Sequence, residues 1–354
     1  MDAPVDQMSD RLFVMALAGL ESLSVALGDR LGFYAELDSA PATAEDLAAR
    51  AGTNPRWTQE WLEQQAVMRL LEADLDDVPV FRLAPGVAES LARPEELTTL
   101  APLTRMVAAI GRQIDLVEEA ARTGGGVPWA AYGAEMRDAQ AAMNKPALLG
   151  QLAQEWIPTA LPGIADRLRA QENLRAADVG CGAGWAAIGL ARAFPTLTVD
   201  AYDVDPASVE LARENAAAAG LSDRVRVLDQ DLSADGAQPA YDFAVAVECI
   251  HDMPDPVRVL DGVRRRLLPG GPALVIDEKV AEAFTPDGDE IERIMYAYST
   301  LLCLPDSMSS TPSVATGTPM RSSTFDSYAR AAGFTSVDIA DVEHDVFRFY
   351  VLRS

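Results

Sequence analysis

From about residue 170 onward, short apolar runs recur with amphipathic stretches between them. The runs fall at 175–179, 198–202, 225–228, 243–247 and 273–277. They are short enough for buried strands and too short for helices. The stretches 185–194, 206–219 and 256–268 carry apolar side chains at helical spacing. Strand and helix in alternation imply a parallel, doubly wound α/β sheet. A helix over 322–332 then precedes strands near 335–340 and 346–352, expected as an antiparallel pair at the sheet edge.

The N-terminal third has a different rhythm. Residues 10–37 are helically spaced and end near Gly32 and Tyr34. Thr43 to Gly52 reads as a capped helix, with a Thr N-cap, acids in the first turn and a Gly C-cap. Asn54-Pro55 opens another helix that runs to about Leu71. Val78 to Leu83 suggests a short β-wing, which completes a winged-helix outline. Helical spacing returns over 96–122 and 134–154, separated by the Gly124–Gly133 stretch. The expected division is therefore a mostly α winged-helix domain over 1–95, a helical linker and lid over 96–165, and the α/β domain over 166–354. Trp129, Tyr132 and Trp156 either cover a ligand or fill the core between domains.

Charge narrows the function. The net charge is −25, which repels phosphate backbones and anionic lipid. A winged helix suggests DNA, but residues 1–95 hold 17 acidic side chains, seven arginines and no lysine. Arg56 on the second helix is accompanied by Glu60 and Glu63, so no basic recognition face forms. We expect that domain to pack against a partner subunit, with no nucleic acid and no membrane as partner. No stretch reads as a membrane span, and the N-terminus lacks the basic start of a signal peptide. Three cysteines without paired spacing fit a reducing cytoplasm. Two histidines are too few for a His-rich metal site, so no metal is expected.

The chemistry gathers at the ends of the strands. Asp178-Val-Gly-Cys-Gly-Ala-Gly184 is a strand end, a glycine turn and a helix start. A dinucleotide fingerprint would place its third glycine at 185, which is Trp185. Asp203 ends the second strand about 20 residues on, where an acid accepts ribose hydroxyls. Asp205 before Pro206 reads as a helix cap. Gln230-Asp231-Leu232 follows the third strand, and Leu268-Pro-Gly-Gly271 precedes the fifth.

Together these four marks resemble class I S-adenosylmethionine (SAM)-dependent methyltransferases over 174–277. The resemblance implies a seven-stranded Rossmann-like sheet and SAM as cofactor. It places Asp178, Gly180, Cys181, Gly182 and Val204 around the cofactor, and Asp203 at its ribose. Asp231 falls at the adenine amino group and Leu232 on the ring. Glu248 falls at the methionine amino group or at the substrate. The N-terminal outline is similar to the dimerisation domain of small-molecule O-methyltransferases, which implies a homodimer.

His251 follows the fourth strand, and a histidine suits removal of a hydroxyl proton. His251-Asp-Met-Pro-Asp255 resembles the His-Asp-Trp-Ser-Asp segment of plant-type O-methyltransferases, in which the histidine is the general base. Met-Pro in place of Trp-Ser departs from that segment. Residues 280–320 are an insertion whose composition suits a substrate cavity, with Met295, Tyr298 and Ser299 as wall residues and Trp156 opposite. His344 reads as structural, with Glu343 or His344 as a second possible wall. N- or C-methylation, a regulatory SAM-binding role and non-methyl chemistry stay open as alternatives. The acceptor molecule is not legible.

Overall fold

The computed structural model describes residues 5–234 and 238–354. The chain divides into two compact units. One comprises 1–112 and 138–146, the other 113–137 and 147–354. The two units are interleaved along the chain. The helix α7 (Gly133–Gln151) contributes its middle to the first unit and its ends to the second.

In the first unit, α1 (Val5–Arg30) and α2 (Phe33–Ser39) are separated by Gly32, whose left-handed φ of 72° breaks the helix. The helix α3 (Ala44–Ala51) has the expected caps: Thr43 accepts from the Asp46 N–H at 3.1 Å, and Gly52 is left-handed. The helix α4 (Pro55–Val67) is capped by Asn54. The strands β1 (Leu71–Asp74) and β2 (Val80–Leu83) pair antiparallel, so the wing is a two-stranded hairpin. The α5 helix (Ala101–Gly111) also belongs here. The core is Phe33, Tyr34, Leu47, Leu62 and Phe81, with Trp61 stacked at an angle on Phe33.

Most of α1 is uncovered. Phe13, Val14, Met15 and Leu20 are all more than half exposed. With a mean hydropathy of 1.6 in its most apolar window, α1 is long and apolar enough to cross a membrane. That corrects the expectation that no stretch is. Residues 12–20 carry no polar side chain, so that part of the helix is apolar on every side, and Glu21, Ser22 and Ser24 follow it.

The second unit begins with α6 (Ile114–Thr123) and the ends of α7, followed by α8 (Ile157–Ala160) and α9 (Pro162–Arg169). Then come β3 (Arg175–Val179), α10 (Trp185–Ala193), β4 (Thr198–Asp203), α11 (Pro206–Ala218) and β5 (Val225–Asp229). They are followed by β6 (Phe243–Val247), α12 (Pro256–Arg266) and β7 (Ala273–Glu278). The insertion holds α13 (Glu290–Tyr298) and α14 (Leu304–Ser307). Helix α15 (Ser322–Ala331) leads to β8 (Ser336–Ile339) and β9 (Phe347–Arg353).

The seven strands lie in the order β5-β4-β3-β6-β7-β9-β8. Strands β3 to β7 are parallel, and β9 runs antiparallel between β7 and β8. The order reverses between β3 and β6, and such a reversal opens a crevice at the carboxyl ends of the strands. Alternate side chains build the two faces: Ala176, Phe243 and Val245 join one core cluster, and Ala177, Ala244 and Ala246 the other. Helices α10 and α11 pack on the first face, α12 and α15 on the second.

Gly189 shows how tightly the first face is sealed. A Cβ there would lie 2.2 Å from the Leu148 carbonyl oxygen, so α10 meets backbone directly. Gly189→Ala is expected to destabilise the fold by about 1–3 kcal/mol, the usual cost of overpacking. A thermal denaturation midpoint equal to wild type would contradict that close packing.

Candidate active site

Three strand ends supply the cofactor cradle. In the glycine turn, Gly180, Gly182 and Gly184 have φ of 65°, 51° and 79°, a region that side chains disfavour. A Cβ at Gly180 would lie 2.9 Å from Cys249, so this glycine lets the turn sit against the β6 end. A Cβ at Gly182 would meet nothing within 4 Å, which leaves that part of the turn open for a ligand.

Asp203 closes the cradle. One of its carboxylate oxygens accepts the Gly182 N–H at 2.8 Å, the other the Asp205 N–H at 2.9 Å. Burial raises its pKa, and those two N–H groups counter part of the rise. The acid at the β4 end therefore already holds the glycine turn in shape. Asp205 is the cap expected: it accepts from the Ser208 N–H and pairs with Arg137 at 2.9 Å. Val204 is 69% exposed, an apolar side chain held at the surface beside Asp203.

Two expected cofactor contacts prove to be internal. Asp178 is only 2% exposed and accepts the Ala187 N–H at 3.1 Å. It lies on the strand face that meets α10, so it supports the turn from below. Burial pushes its pKa up to about 7. Leu232 is 3% exposed and points into the second core cluster. Asp231 closes its own turn on the Ser233 N–H at 2.8 Å and pairs with Arg258 at 3.1 Å. Cys181 is partly buried in the turn, and burial raises its pKa well above the ordinary thiol value.

Beyond β6 the backbone turns sharply. Glu248 adopts φ of 50°, rare for a residue with a side chain and frequent at functional sites. His251 follows in a short 3-10 turn and is 2% exposed. Its Nδ1 lies 2.6 Å from Asp277 Oδ1 and 2.9 Å from Glu278, both at the β7 end. Its Nε2 lies 3.1 Å from Asp252. Burial alone would lower the His251 pKa, but Asp252, Glu278 and Asp277 outweigh it and hold the imidazolium well above its ordinary range. Burial also raises Glu278, whereas His251 keeps Asp277 below the usual carboxylate range. Of the two carboxyls, Glu278 is therefore the one whose protonated form burial favours.

The insertion forms the far wall. Met295 and Ser299 are each 7% exposed, and the Tyr298 hydroxyl is buried without a hydrogen-bond partner. Cys303 lies beside His251, and burial pushes its pKa up to about 12. The Asp306 carboxylate accepts the Trp129 N–H at 2.7 Å, and the Tyr132 hydroxyl donates to the Leu301 carbonyl at 2.8 Å. Residues 127–132 are therefore tied to the insertion. Trp156 is not part of this wall. It is 1% exposed and packs edge-on against His344, Phe347 and Phe349, because apolar neighbours surround it in the first core cluster. His344 accepts the N–H groups of Val346 and Phe347 through Nδ1, which fits a structural role. Asp252, Asp277, Glu278, Cys303 and Asp306 were not singled out from the sequence. An acidic pair at the end of a central strand was a usable signal for Asp277 and Glu278. Nothing local marked Cys303 or Asp306.

Residues 177–273 match a family described as methyltransferase domain. A sterol 4-C-methyltransferase of Caenorhabditis elegans is 27% identical over 146 residues, 41% of this chain and 43% of that protein. The chain thus spans less than half the length of that curated relative. A putative O-methyltransferase structure from Nostoc punctiforme PCC 73102 superposes with a TM-score of 0.72 at 17% identity, covering 100% of both chains. Human N-acetylserotonin methyltransferase in complex with SAM gives 0.66 at 18% identity, covering 100% of this chain and 99% of that one. The chain carries a methyltransferase domain and shares its fold with O-methyltransferases, one methyltransferase of that fold being solved with SAM.

The cradle fits that cofactor: an open glycine, a helix start behind it, and an acid at the β4 end. Asp203→Ala is expected to weaken SAM binding by about 2 kcal/mol, within the range of charge-assisted hydrogen bonds. Calorimetry showing wild-type affinity would remove Asp203 from the site.

Proposed function

We propose that this protein transfers the methyl group of SAM to a hydroxyl of a small molecule, with His251 as general base. The contact of His251 Nδ1 with Asp277 at 2.6 Å carries this reading. It fixes the ring through Nδ1; Nε2, which lies 3.1 Å from Asp252, is then the atom that takes the acceptor proton, and the carboxylates stabilise the imidazolium that results. Asp203 holds the ribose, and Asp231 with Val204 the adenine end. Glu248 meets the methionine amino group. Met295, Tyr298 and Ser299 bound the acceptor. The bound cofactor supplies an electrophilic methyl group. The chain aligns the acceptor oxygen with it and receives the proton.

His251→Ala is expected to lower kcat by roughly 10²–10⁴-fold while SAM affinity is retained. Only neutral imidazole accepts a proton, and the folded pKa of His251 is raised. The rate is therefore expected to climb with pH through an apparent pKa above 6.5, the ordinary histidine value. A loss smaller than about threefold, or a flat pH profile, would mean that the proton leaves by another route and that alignment alone drives transfer. N- or C-methylation then becomes the better reading.

The same reading includes a cytoplasmic homodimer built mainly by residues 1–95, without nucleic acid or membrane. Its support is the uncovered apolar surface of α1 together with the acidic first unit, which suits neither DNA nor anionic lipid. Light scattering is expected to report a dimer at micromolar concentration, and Phe13→Glu with Leu20→Glu to dissociate it. A monomeric wild-type chain would end the idea, and flotation with vesicles would redirect α1 to a membrane.

A further inference from the structure

Helices join β3 to β4, β4 to β5 and β6 to β7, but among the described residues none joins β5 to β6. On the second face of the sheet a cleft of about 390 Å³ remains over β3, β4 and β5. Its arginines come from strand starts and a helix end. Arg175 opens β3, Arg226 is the second residue of β5, and Arg266 ends α12. The glycine turn and the His251 cluster lie instead at the carboxyl ends of the strands, and neither lends a residue to the cleft.

Three guanidiniums meet one carboxylate there. Asp200 is 7% exposed and stands directly across from Arg226 on the neighbouring strand. Its Oδ1 accepts from Arg226 Nε at 3.0 Å. Its Oδ2 accepts from Arg226 Nη2 at 3.0 Å, Arg175 Nη2 at 2.8 Å and the Tyr241 hydroxyl at 2.7 Å. Those bonds fill the acceptor sites of Asp200, which offsets one positive charge. Arg266 has no carboxylate partner among the described residues, whereas Arg264 and Arg265 both pair with Asp261. Asp242 accepts the Arg175 backbone N–H but is paired with Arg167. The cleft thus keeps two positive charges that no described acid matches, in a chain of net charge −25.

Two tyrosines join these cations into one cluster. The Arg266 guanidinium lies 5.8 Å from the Tyr202 ring centre, and that of Arg175 lies 5.5 Å from the Tyr241 ring centre. The Tyr202 hydroxyl donates to the Tyr241 hydroxyl at 2.5 Å. Arg266 Nε is held by the Leu232 carbonyl at 2.6 Å. The guanidiniums are therefore positioned in advance, and Arg175 and Arg226 are about half exposed or more, so an ion can reach them. Neither Nη of Arg266 has a partner among the described residues. Such planar forks match carboxylate and phosphate oxygens. A phosphate monoester carries about −1.5 to −2 at neutral pH and balances the cleft, whereas a carboxylate or a phosphodiester brings one charge. Gln230 and Gln238 also line the cleft, and their amides both donate to and accept from hydroxyls. A long polyanion would meet the acidic remainder of the surface.

We propose that this cleft binds a hydroxylated phosphate monoester of the sugar phosphate class, at a site separate from methyl transfer. The phosphate pairs with Arg266, Arg226 and Arg175, and the hydroxyls face the two glutamines.

The test is calorimetry on the full-length protein at constant ionic strength. The probes are ribose 5-phosphate, ribose, inorganic phosphate and a short oligoadenylate. Ribose 5-phosphate is expected to bind at least tenfold more tightly than ribose and at least threefold more tightly than inorganic phosphate. The same order is expected with and without excess S-adenosylhomocysteine, because the cleft shares no residue with the cofactor cradle. Arg266→Gln removes a charge without touching Asp200 and is expected to weaken ribose 5-phosphate at least tenfold. Arg226→Lys keeps the charge opposite Asp200, loses the planar fork and is expected to weaken it about threefold. Arg330→Gln, outside the cleft, is expected to bind as wild type does. Thermal midpoints are expected to match wild type, and Arg266→Gln decides alone if Arg226→Lys lowers its midpoint. Ribose 5-phosphate that binds no better than ribose overturns the proposal. So does binding that survives the cleft variants or falls equally in Arg330→Gln. Inorganic phosphate bound as tightly as the ester, or oligoadenylate bound more tightly, overturns the assignment to a sugar phosphate.

Discussion

One imidazole shared among three carboxylates sets the terms for the rest of the α/β unit. His251 lies on the turn after β6, Asp277 and Glu278 end β7, and Asp252 adjoins the insertion. Burying that much negative charge is unfavourable unless it is compensated. The shifts compensate: burial favours the protonated form of Glu278, and the surrounding carboxylates favour the imidazolium of His251. The neighbouring β6 and β7 strands must therefore keep their parallel register, since a slip of one residue would turn Asp277 to the opposite face of the sheet.

The cofactor cradle depends on a second clasp of the same kind. Asp203 holds Gly182 through a backbone N–H, and Gly180 sits against Cys249. The glycine turn is thus joined on one side to the β4 end and on the other to the segment that carries Glu248 and His251. The glycine turn and His251 thus belong to one arrangement of strand ends. The insertion is tied instead to residues 126–132, where a Cβ at Gly126 would lie 2.2 Å from the Ser309 nitrogen. The insertion and the glycine turn are therefore held by different parts of the unit.

The first unit follows another logic. Its own core is small, and it leaves a 26-residue helix with an apolar surface. Apolar side chains exposed on that scale need a partner surface to leave water.

Local chemistry made much of this protein legible from its sequence. Thr43 and Gly52 bound their helix because a hydroxyl and a glycine satisfy helix ends wherever they occur. Asp205 before Pro206 was readable as a cap for the same reason. The strand runs, the glycine turn and Asp203 follow from short-range periodicity and from φ values that glycine alone adopts freely. The fate of Asp178, Leu232 and Trp156 was not legible. Each stands in a pattern that fits a ligand contact, and only packing shows which neighbours surround its side chain. The cluster around His251 joins residues 251, 252, 277, 278 and 303, and the interleaved division of the chain joins segments as far apart. Contacts at such separations depend on sheet order and helix packing, and no local pattern encodes them. Sequence determined the elements and the cofactor turn, whereas the tertiary structure decided which acids share one imidazole.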